Sequence, residues 1–293
     1  MTTGLPEKVL LLGSSGLLGS YLTSVLNTTS YVLKTHSRGY NSQYQAALDD
    51  PLDARQLLRS ADPDVIINLV GLTNVDRCEL YPNQAYLANV RTVENIVSWI
   101  LQEKSSCHLI YLSTDQVYDS AGSHNENQVT LTNYYAFSKY AGELAAAKVP
   151  NTCLRTNFFG RSRCAKRTSL TDWLYQALSK NESIQVFDNV QFNPLSIDSL
   201  SQIIVSVIQK KPVGVFNLGS HGGMSKADFA FYFAEKLKLS THTMIRATTD
   251  QVAILKAYRP KDMRMDCSKF ETTMDVKLPS LIDEIERAAQ EYL

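Results

Sequence analysis

The first half of the chain alternates short, continuous apolar runs with segments of helical periodicity. The apolar runs are rich in Val, Ile and Leu, which is typical of strands that are buried on both faces of a parallel sheet. The runs cover 8–13, 31–36, 64–71 and 107–114, and the helical segments between them cover 17–27, 53–61 and 82–104. This βαβ order predicts an α/β fold with a doubly wound parallel sheet that is covered by helices on both faces.

The second half of the chain is less regular, which predicts a smaller C-terminal α/β domain. We expect residues 1–157 and 195–219 to form the larger domain, and residues 158–194 and 220–293 to form the smaller one. The sequence has no repeat, low-complexity tract or flexible linker. Functional residues are therefore expected in a cleft between the two domains.

Composition and charge exclude several classes of protein. Lys plus Arg (29) equals Asp plus Glu (29), whereas a nucleic-acid-binding protein usually has a basic excess. The five cysteines form no CxxC or Cys/His cluster, which argues against a zinc site and favours a reducing compartment. The apolar run 9–12 is far too short to span a membrane, and no small-residue cleavage site follows it. We therefore expect a cytoplasmic protein with no membrane or nucleic-acid partner and no metal site.

A glycine-rich segment, GSSGLLG, joins the first apolar run to the first helical segment. Its glycines allow a tight turn, close approach of the backbone to a pyrophosphate, and packing of the helix on the strand. The amides at the start of the helix would bind the phosphates. The alternative is a purely structural turn. We interpret the segment as the dinucleotide-binding turn of a Rossmann fold. This Rossmann interpretation assigns cofactor binding to Gly13, Ser15, Gly16, Leu17, Leu18 and Gly19.

The residues after the second and third apolar runs bear on the choice of cofactor. The second run ends in His36-Ser37-Arg38, without the acidic residue that often binds the ribose of NAD. Arg38 suits a 2′-phosphate, so NADP(H) is preferred and NAD(H) is the alternative. Asp53 is expected to bind the adenine amine, to cap the next helix, or to do both. Val70 and Gly71, at the end of the third run, are also assigned to the cofactor.

The segment TNYYAFSKYAGE (132–143) contains one pair with a spacing that favours joint chemistry. Tyr135 and Lys139 are four residues apart, so on a helix they share one face. They are either a catalytic pair or an ordinary surface pair of an amphipathic helix. Thr114 and Asp115 end an apolar run shortly before them, and ligands bind at the carboxyl ends of strands in open α/β sheets.

An ordered set of motifs resembles the extended short-chain dehydrogenase/reductases. More closely, it is similar to the dTDP-4-dehydrorhamnose reductases and to their relative, the regulatory β-subunit of methionine adenosyltransferase. No single motif is decisive, but their order along almost the whole chain is specific. The motifs are GSSGLLG, PDVIINLVGLTNVDRCE, LSTDQVYDS, YYAFSKYAGE, LRTNFFG, GVFNLGS and RPKDMRMDCSKFE.

The resemblance implies catalytic roles for Thr114, Tyr135 and Lys139. Tyr135 matches the tyrosine that passes a proton to a substrate carbonyl, and Lys139 matches the lysine that eases this transfer and binds the nicotinamide ribose. Thr114 matches the hydroxyl that orients the carbonyl, and the hydride would come from NAD(P)H. The substrate contacts that the resemblance implies are Val75, Asp115 and Phe159, and Tyr258, Arg259 and Arg264 are expected to line the cleft.

Departures from the family pattern concern the sugar more than the reaction. Gln116 stands where an aromatic residue is common, and Leu195 stands where threonine is usual. The family often has Trp in the segment LRTNFFG, where the matching residue of this chain is Asn157, Phe158 or Phe159. Arg161, Arg163, Lys166 and Arg167 either meet a substrate diphosphate or are solvated loop charges.

The sequence therefore predicts an NADPH-dependent reductase of a 4-keto sugar nucleotide. One alternative is a regulatory subunit that binds NADP without catalysis. Another is a nucleotide-sugar epimerase or dehydratase, but a dehydratase would want an Asp-Glu pair where this chain has Asp115-Gln116. Arg38 also argues against the tightly held NAD of an epimerase. The partner is a small nucleotide sugar, and formation of a homodimer stays open.

Overall fold

The computed structural model describes residues 5–39, 42–164 and 166–293. The strands within these residues are β1 (Lys8–Leu12), β2 (Val32–His36), β3 (Val65–Asn68), β4 (His108–Thr114), β5 (Asn151–Thr156), β6 (Phe158–Phe159), β7 (Ile184–Phe187), β8 (Gln191–Phe192), β9 (Leu195–Ser196), β10 (Gly214–Leu218), β11 (Met224–Ser225) and β12 (Met244–Ala247). The α-helices are α1 (Leu17–Leu26), α2 (Pro51–Ala61), α3 (Val75–Leu80), α4 (Pro82–Tyr86), α5 (Thr92–Glu103), α6 (Tyr134–Ala146), α7 (Leu170–Ser179), α8 (Ile197–Lys210), α9 (Lys226–Lys236), α10 (Ser268–Met274) and α11 (Leu281–Gln290). A π-helical turn, Leu87–Arg91, joins α4 to α5.

Six parallel strands form the central sheet in the order β10-β5-β4-β3-β1-β2. The chain winds outward from β1 in one direction to β2 and in the other direction to β3. The carboxyl ends of β1 and β3 therefore flank the crevice in which sheets of this kind bind ligands. The predicted doubly wound α/β fold is confirmed.

Strand β5 was not predicted, although it lies inside the sheet, between β10 and β4. Every one of its residues is buried, but the sequence NTCLRT has no continuous apolar run. Its polar side chains have partners instead: Thr152 Oγ1 lies 2.8 Å from His108 Nε2, and Arg155 pairs with Glu143. A buried strand of this composition is stable only because its polar groups are satisfied by distant residues.

The described residues form four apolar clusters, and the three large ones are the cores of the structure. One core, with Leu22 and Ile204, lies between one sheet face and helices α1 and α8, and a second, with Leu58 and Ile96, lies beneath α2 and α5. The third core joins α7, α9 and α11 away from the sheet. Phe270 of α10 packs in the first core, on the sheet. The predicted boundaries between two domains stay a prediction.

None of the helices formed by the described residues has the length and apolar character needed to cross a membrane.

A buried ion pair crosses the region between α6 and β5. Arg155 Nη2 lies 2.6 Å from Glu143 Oε2, and both side chains are almost fully buried. Ser113 of β4 donates to the same carboxylate, and Arg155 Nη1 donates to the Tyr118 hydroxyl at 2.7 Å. Tyr118 in turn donates to Asn217 Oδ1 of β10 at 2.7 Å. The network thus links α6 to three neighbouring strands of the sheet.

We expect Arg155→Met to lower the free energy of unfolding by about 3–5 kcal/mol, because it leaves the Glu143 carboxylate buried without its cation. Chemical denaturation measures the loss. The control is Lys180→Met, which removes an exposed cation 3.9 Å from Glu182 and should cost less than about 1 kcal/mol. Equal effects of the two changes would contradict the structural role of the buried pair.

Candidate active site

The glycine-rich segment turns sharply between β1 and α1. Gly13 has a φ of +87°, which favours glycine, and the amides of Gly13 and Ser14 donate to the His36 carbonyl at 2.9 and 3.0 Å. Gly16 precedes α1 and has no side chain that could cap the first-turn amides, and the first turn has no acidic residue. These amides are therefore available to an anion at the positive end of the helix dipole.

Two glycines of this segment are required by close packing. A Cβ atom at Gly19 would lie 2.1 Å from the Gly13 carbonyl oxygen, so a side chain there would push α1 off the turn. A Cβ atom at Gly13 would lie 3.3 Å from both the Leu69 carbonyl carbon and the Val70 amide nitrogen. The turn therefore lies against the end of β3, as the Rossmann interpretation requires, and the residues present fit a dinucleotide.

The other predicted cofactor residues of this segment differ in their surroundings. Ser15 is exposed, and its carbonyl accepts a bond from the Cys164 thiol at 3.1 Å. Leu17 is half-buried at the start of α1. The Leu18 side chain is buried in the first core, so that only its amide can serve a ligand.

Arg38 and Asp53 lie at the other end of the predicted cofactor site. Arg38 is exposed in the loop after β2. Helix α2 is capped by Asp50, whose Oδ1 accepts from the amides of Leu52 and Asp53 at 2.8 and 3.0 Å. The prediction that Asp53 caps this helix is therefore wrong, because proline at the first helical position places the cap at residue 50. Asp53 is exposed in the first turn, and its contact with adenine stays a prediction.

Tyr135 and Thr114 meet at the carboxyl end of β4. Asn133 begins α6 by accepting from the Ala136 amide at 2.8 Å, which fixes the turn that carries Tyr135. Tyr135 is buried in a small apolar cluster with Cys78, and the partly buried Val75 packs against this cluster. The predicted substrate residue Val75 therefore lies close to Tyr135. Burial raises the pKa of the Tyr135 hydroxyl, and a hydrogen bond with the Thr114 hydroxyl opposes this rise. Tyr135 is therefore protonated at neutral pH and is suited to be a proton donor.

Lys139 lies one helical turn after Tyr135, on the same face. Its Nζ donates to the Leu112 carbonyl at 2.6 Å and lies 4.2 Å from the centre of the Tyr111 ring. Burial lowers its pKa to about 8. A Cβ atom at Gly71 would lie 4.0 Å from Nζ, so the lysine reaches the loop that follows β3. Lys139 thus lies one turn from Tyr135 and close to the predicted cofactor residue Gly71.

Asn89 is a site residue that the sequence did not reveal. It lies in the π-helical turn, and its Oδ1 accepts from the Leu72 amide at 2.7 Å. Its Nδ2 donates to Ser138 Oγ at 2.8 Å and to the Leu72 carbonyl at 3.1 Å. It therefore fixes the loop after β3 to α6. The segment 82–104 has the periodicity of a regular helix, which gives no sign of a π-helical turn.

Asp115 is 1% exposed and belongs to the same site. Its Oδ2 accepts from Asn157 Nδ2 at 2.7 Å, and its Oδ1 accepts from the Thr114 hydroxyl at 3.2 Å. Burial raises its pKa to about 6, although the Lys226 ammonium has the opposite effect. Three residues were considered for the position where the family often has Trp. Of these, Asn157 contacts the site, through its hydrogen bond to Asp115.

The structure does not bring every candidate to the cleft. Phe159 is 1% exposed, and its ring lies 4.7 Å from that of Phe229 in the third core. It can therefore support the cleft but does not line it, because β6 turns its side chain inward. Arg161 donates to the Glu291 carbonyl, and the Arg163 guanidinium lies 3.7 Å from the centre of the Tyr21 ring. Lys166 and Arg167 are exposed.

A C-terminal segment closes one side of the site. Arg259 Nη2 donates to Asp76 Oδ2 at 2.7 Å, and Asp76 Oδ1 accepts from the amides of Lys256 and Ala257. Burial raises the pKa of Asp76, but these bonds outweigh it and bring the pKa to about 2. The Tyr258 carbonyl accepts from Asn133 Nδ2 at 3.1 Å. The segment is thus fixed to both α3 and the start of α6.

The remaining residues of this C-terminal motif are engaged elsewhere. Arg264 pairs with Asp262 at 2.5 Å. Asp266 accepts from the Ser268 amide at 3.0 Å.

The raised pKa of Asp115 predicts a pH-dependent effect of Asp115→Asn on stability. The folded-state pKa is about 6 and the ordinary value is 3.8, so the carboxyl group contributes stability below pH 3.8 that is lost as the pH rises through 6. Relative to the native protein, Asp115→Asn should be about 2–3 kcal/mol more stable at neutral pH than at about pH 4. Denaturation at the two pH values measures this, with the exposed Asp49→Asn as control. A difference that did not change with pH would contradict the assignment.

Comparisons with known proteins agree with this arrangement. Residues 7–293 match the family described as the RmlD substrate binding domain. The dTDP-4-dehydrorhamnose reductase of Sinorhizobium fredii is 28% identical over 241 residues, which cover 76% of this chain and 78% of that protein. Methionine adenosyltransferase 2 subunit beta of Rattus norvegicus is 25% identical over 281 residues, which cover 91% of this chain and 82% of that protein.

A solved structure shows the same fold. The crystal structure of dTDP-4-dehydrorhamnose reductase from Bacillus anthracis in complex with NADP superposes with a TM-score of 0.88 at 22% identity, and the match covers 98% of this chain and 99% of that one. The resemblance inferred from the motifs is confirmed: the chain belongs to the RmlD substrate binding domain family.

Proposed function

We propose that this chain is an NADPH-dependent reductase of a 4-keto sugar nucleotide. The observation that carries the proposal is the meeting of Thr114, Tyr135 and Lys139 at the carboxyl edge of the sheet, beside the glycine turn. The names of the relatives, which include dTDP-4-dehydrorhamnose reductases, support the same substrate class.

The chain's own residues would bind and polarise the substrate carbonyl. Tyr135 is a buried, protonated hydroxyl within reach of Thr114, so both hydroxyls can donate to one carbonyl oxygen. Tyr135 then gives up its proton as negative charge develops on that oxygen. The Lys139 ammonium, one turn away, stabilises the tyrosinate. NADPH, when bound in the glycine turn, supplies the hydride.

A second candidate is a regulatory subunit that binds NADP without catalysis. The observation that favours it is the similarity to the methionine adenosyltransferase subunit over most of the chain. The buried Thr114–Tyr135 pair favours the reductase, because a protein that only binds the cofactor has no need for it. An epimerase or dehydratase is less well supported, since Gln116 follows Asp115 where a dehydratase would want a glutamate. A cytoplasmic location and a homodimer stay predictions.

We expect Tyr135→Phe to lower kcat by roughly a hundred- to ten-thousandfold, because it removes the proton donor and keeps the ring. The loss of NADPH absorbance with dTDP-4-dehydrorhamnose measures turnover, and calorimetry measures NADPH binding, which should persist. Tyr134→Phe is the matched control, since Tyr134 is only half-buried and lies one residue away. Full turnover in Tyr135→Phe would refute the reductase, and NADPH binding without turnover in the native protein would favour the regulatory subunit.

Arg38→Ala tests the choice of cofactor. If Arg38 binds the 2′-phosphate, its loss should weaken NADPH binding roughly ten- to hundredfold and leave NADH binding nearly unchanged. Calorimetry with both nucleotides measures this. Arg59→Ala, at the far end of α2, is the control. An equal effect of Arg38→Ala on both cofactors would exclude the phosphate contact.

A further inference from the structure

The Thr114 hydroxyl group has two fixed hydrogen-bond partners beside the reacting position. Thr114 caps the 3₁₀ turn Asp115–Val117, and its Oγ1 accepts from the Gln116 backbone amide at 3.2 Å. The same Oγ1 lies 3.2 Å from Asp115 Oδ1. A hydroxyl group has one hydrogen to donate and two lone pairs with which to accept. The turn uses one lone pair, so one hydrogen and one lone pair are left for Asp115 and a substrate.

The two oxygens of the Asp115 carboxyl group have different partners. Oδ2 accepts from Asn157 Nδ2 at 2.7 Å, and an amide nitrogen can only donate. The Asn157 backbone is fixed in turn, because its carbonyl accepts from the Leu195 amide at 3.0 Å. This bond makes Oδ2 an acceptor and directs Oδ1 toward Thr114. A proton on the carboxyl group is therefore favoured on Oδ1, where Thr114 Oγ1 can accept from it.

The two protonation states of Asp115 give the Thr114 hydroxyl group opposite roles. In the ionised state Oδ1 can only accept, so Thr114 donates its hydrogen to Asp115 and has none for a carbonyl oxygen. In the protonated state Oδ1 donates to Thr114, whose own hydrogen is then free to point toward a substrate. Burial raises the pKa of Asp115 to about 6, so both states occur at pH values used in assays.

The groups that influence this carboxyl group come from four elements of the fold. Thr114 of β4 and Asn157, just after β5, are bonded to it directly. The charged group that acts on it is the Lys226 ammonium of α9, which lowers its pKa. The titratable group is the hydroxyl of Tyr135 in α6, whose own pKa the Asp115 charge raises further after burial has raised it.

We propose that Asp115 is a positioning residue that sets the direction of the Thr114 hydroxyl group, and that Asn157 holds Asp115 for this task. The protonated carboxyl group turns the Thr114 hydrogen toward the substrate carbonyl oxygen, to which Tyr135 also donates. Two donors stabilise the negative charge that develops on this oxygen better than one. The alcohol receives its proton from Tyr135, and Asp115 keeps its own throughout. The inference rests on the proposed function.

The test measures kcat with NADPH and dTDP-4-dehydrorhamnose as the pH is varied. In the native protein kcat should fall roughly ten- to thirtyfold between about pH 5 and about pH 7.5, because Asp115 loses its proton in this range. The range ends below the pKa of Lys139, which is about 8. In Asp115→Asn the new amide can donate to Thr114 and accept from Asn157 at every pH. Its kcat should therefore vary by less than about twofold and exceed the native value at the upper pH.

Parallel pH profiles of the native protein and Asp115→Asn would overturn the proposal. A change confined to KM would also overturn it, because it would assign Asp115 to ground-state binding of the sugar. The control is the exposed Asp49→Asn, which should keep the native profile.

Asn157→Leu tests how Asp115 is held. It removes a donor that favours the ionised carboxylate, so the pKa of Asp115 should rise and the fall of kcat should move to higher pH. The pH midpoint of the stability effect of Asp115→Asn, measured by denaturation in the Asn157→Leu background, should rise as well. NADPH binding should persist by calorimetry, and the exposed Asn127→Leu is the matched control. Unmoved midpoints in both measurements would refute the role of Asn157.

The outcomes separate this proposal from the proposed function. If the native protein binds NADPH but reduces no keto sugar, the reductase fails and the role of Asp115 falls with it. If the native protein reduces the keto sugar and Asp115→Asn keeps the native pH profile, the reductase stands and the role of Asp115 alone is refuted.

Discussion

The buried pair of Glu143 and Arg155 is the interaction on which the geometry of the site depends. Glu143 lies one helical turn after Lys139, and Ser113, which donates to its carboxylate, directly precedes Thr114. The pair therefore ties the helix that carries Tyr135 and Lys139 to β5, and the bond from Ser113 ties the same helix to β4, which ends in Thr114. Charged groups are costly to bury, and this pair is tolerated because its oxygens and nitrogens are bonded to neighbouring side chains.

Two further groups of polar contacts hold the loops around the site. Asn89, in the π-helical turn, holds the loop after β3 against α6, and this loop contributes Gly71 beside Lys139. Asp76 holds the segment that ends in Arg259, which closes the cleft from the C-terminal part of the chain. Both contacts are polar and lie outside the three apolar cores. The cores determine the fold, whereas these bonds determine where the loops of the site lie.

Some of the site could be predicted because its signals are local. The spacing of Tyr135 and Lys139 places them on one face of a helix, and Gly19 is required by its contact with the Gly13 carbonyl oxygen within the same turn. Phe159 shows the limit of this reasoning. Its place in a family motif suggested the cleft, but the direction of β6 turns its ring toward Phe229. The direction in which a two-residue strand turns its side chains cannot be read from so short a pattern.

The sequence by itself determined the βαβ order, the glycine turn and the helix that carries Tyr135 and Lys139, because periodicity and backbone conformation are properties of neighbouring residues. Only the tertiary structure decided which polar residues pair. Asp76 and Arg259 are separated by 183 residues, and β5 is buried although its sequence is largely polar. Such pairs depend on how the elements pack, and no local pattern in the chain records them.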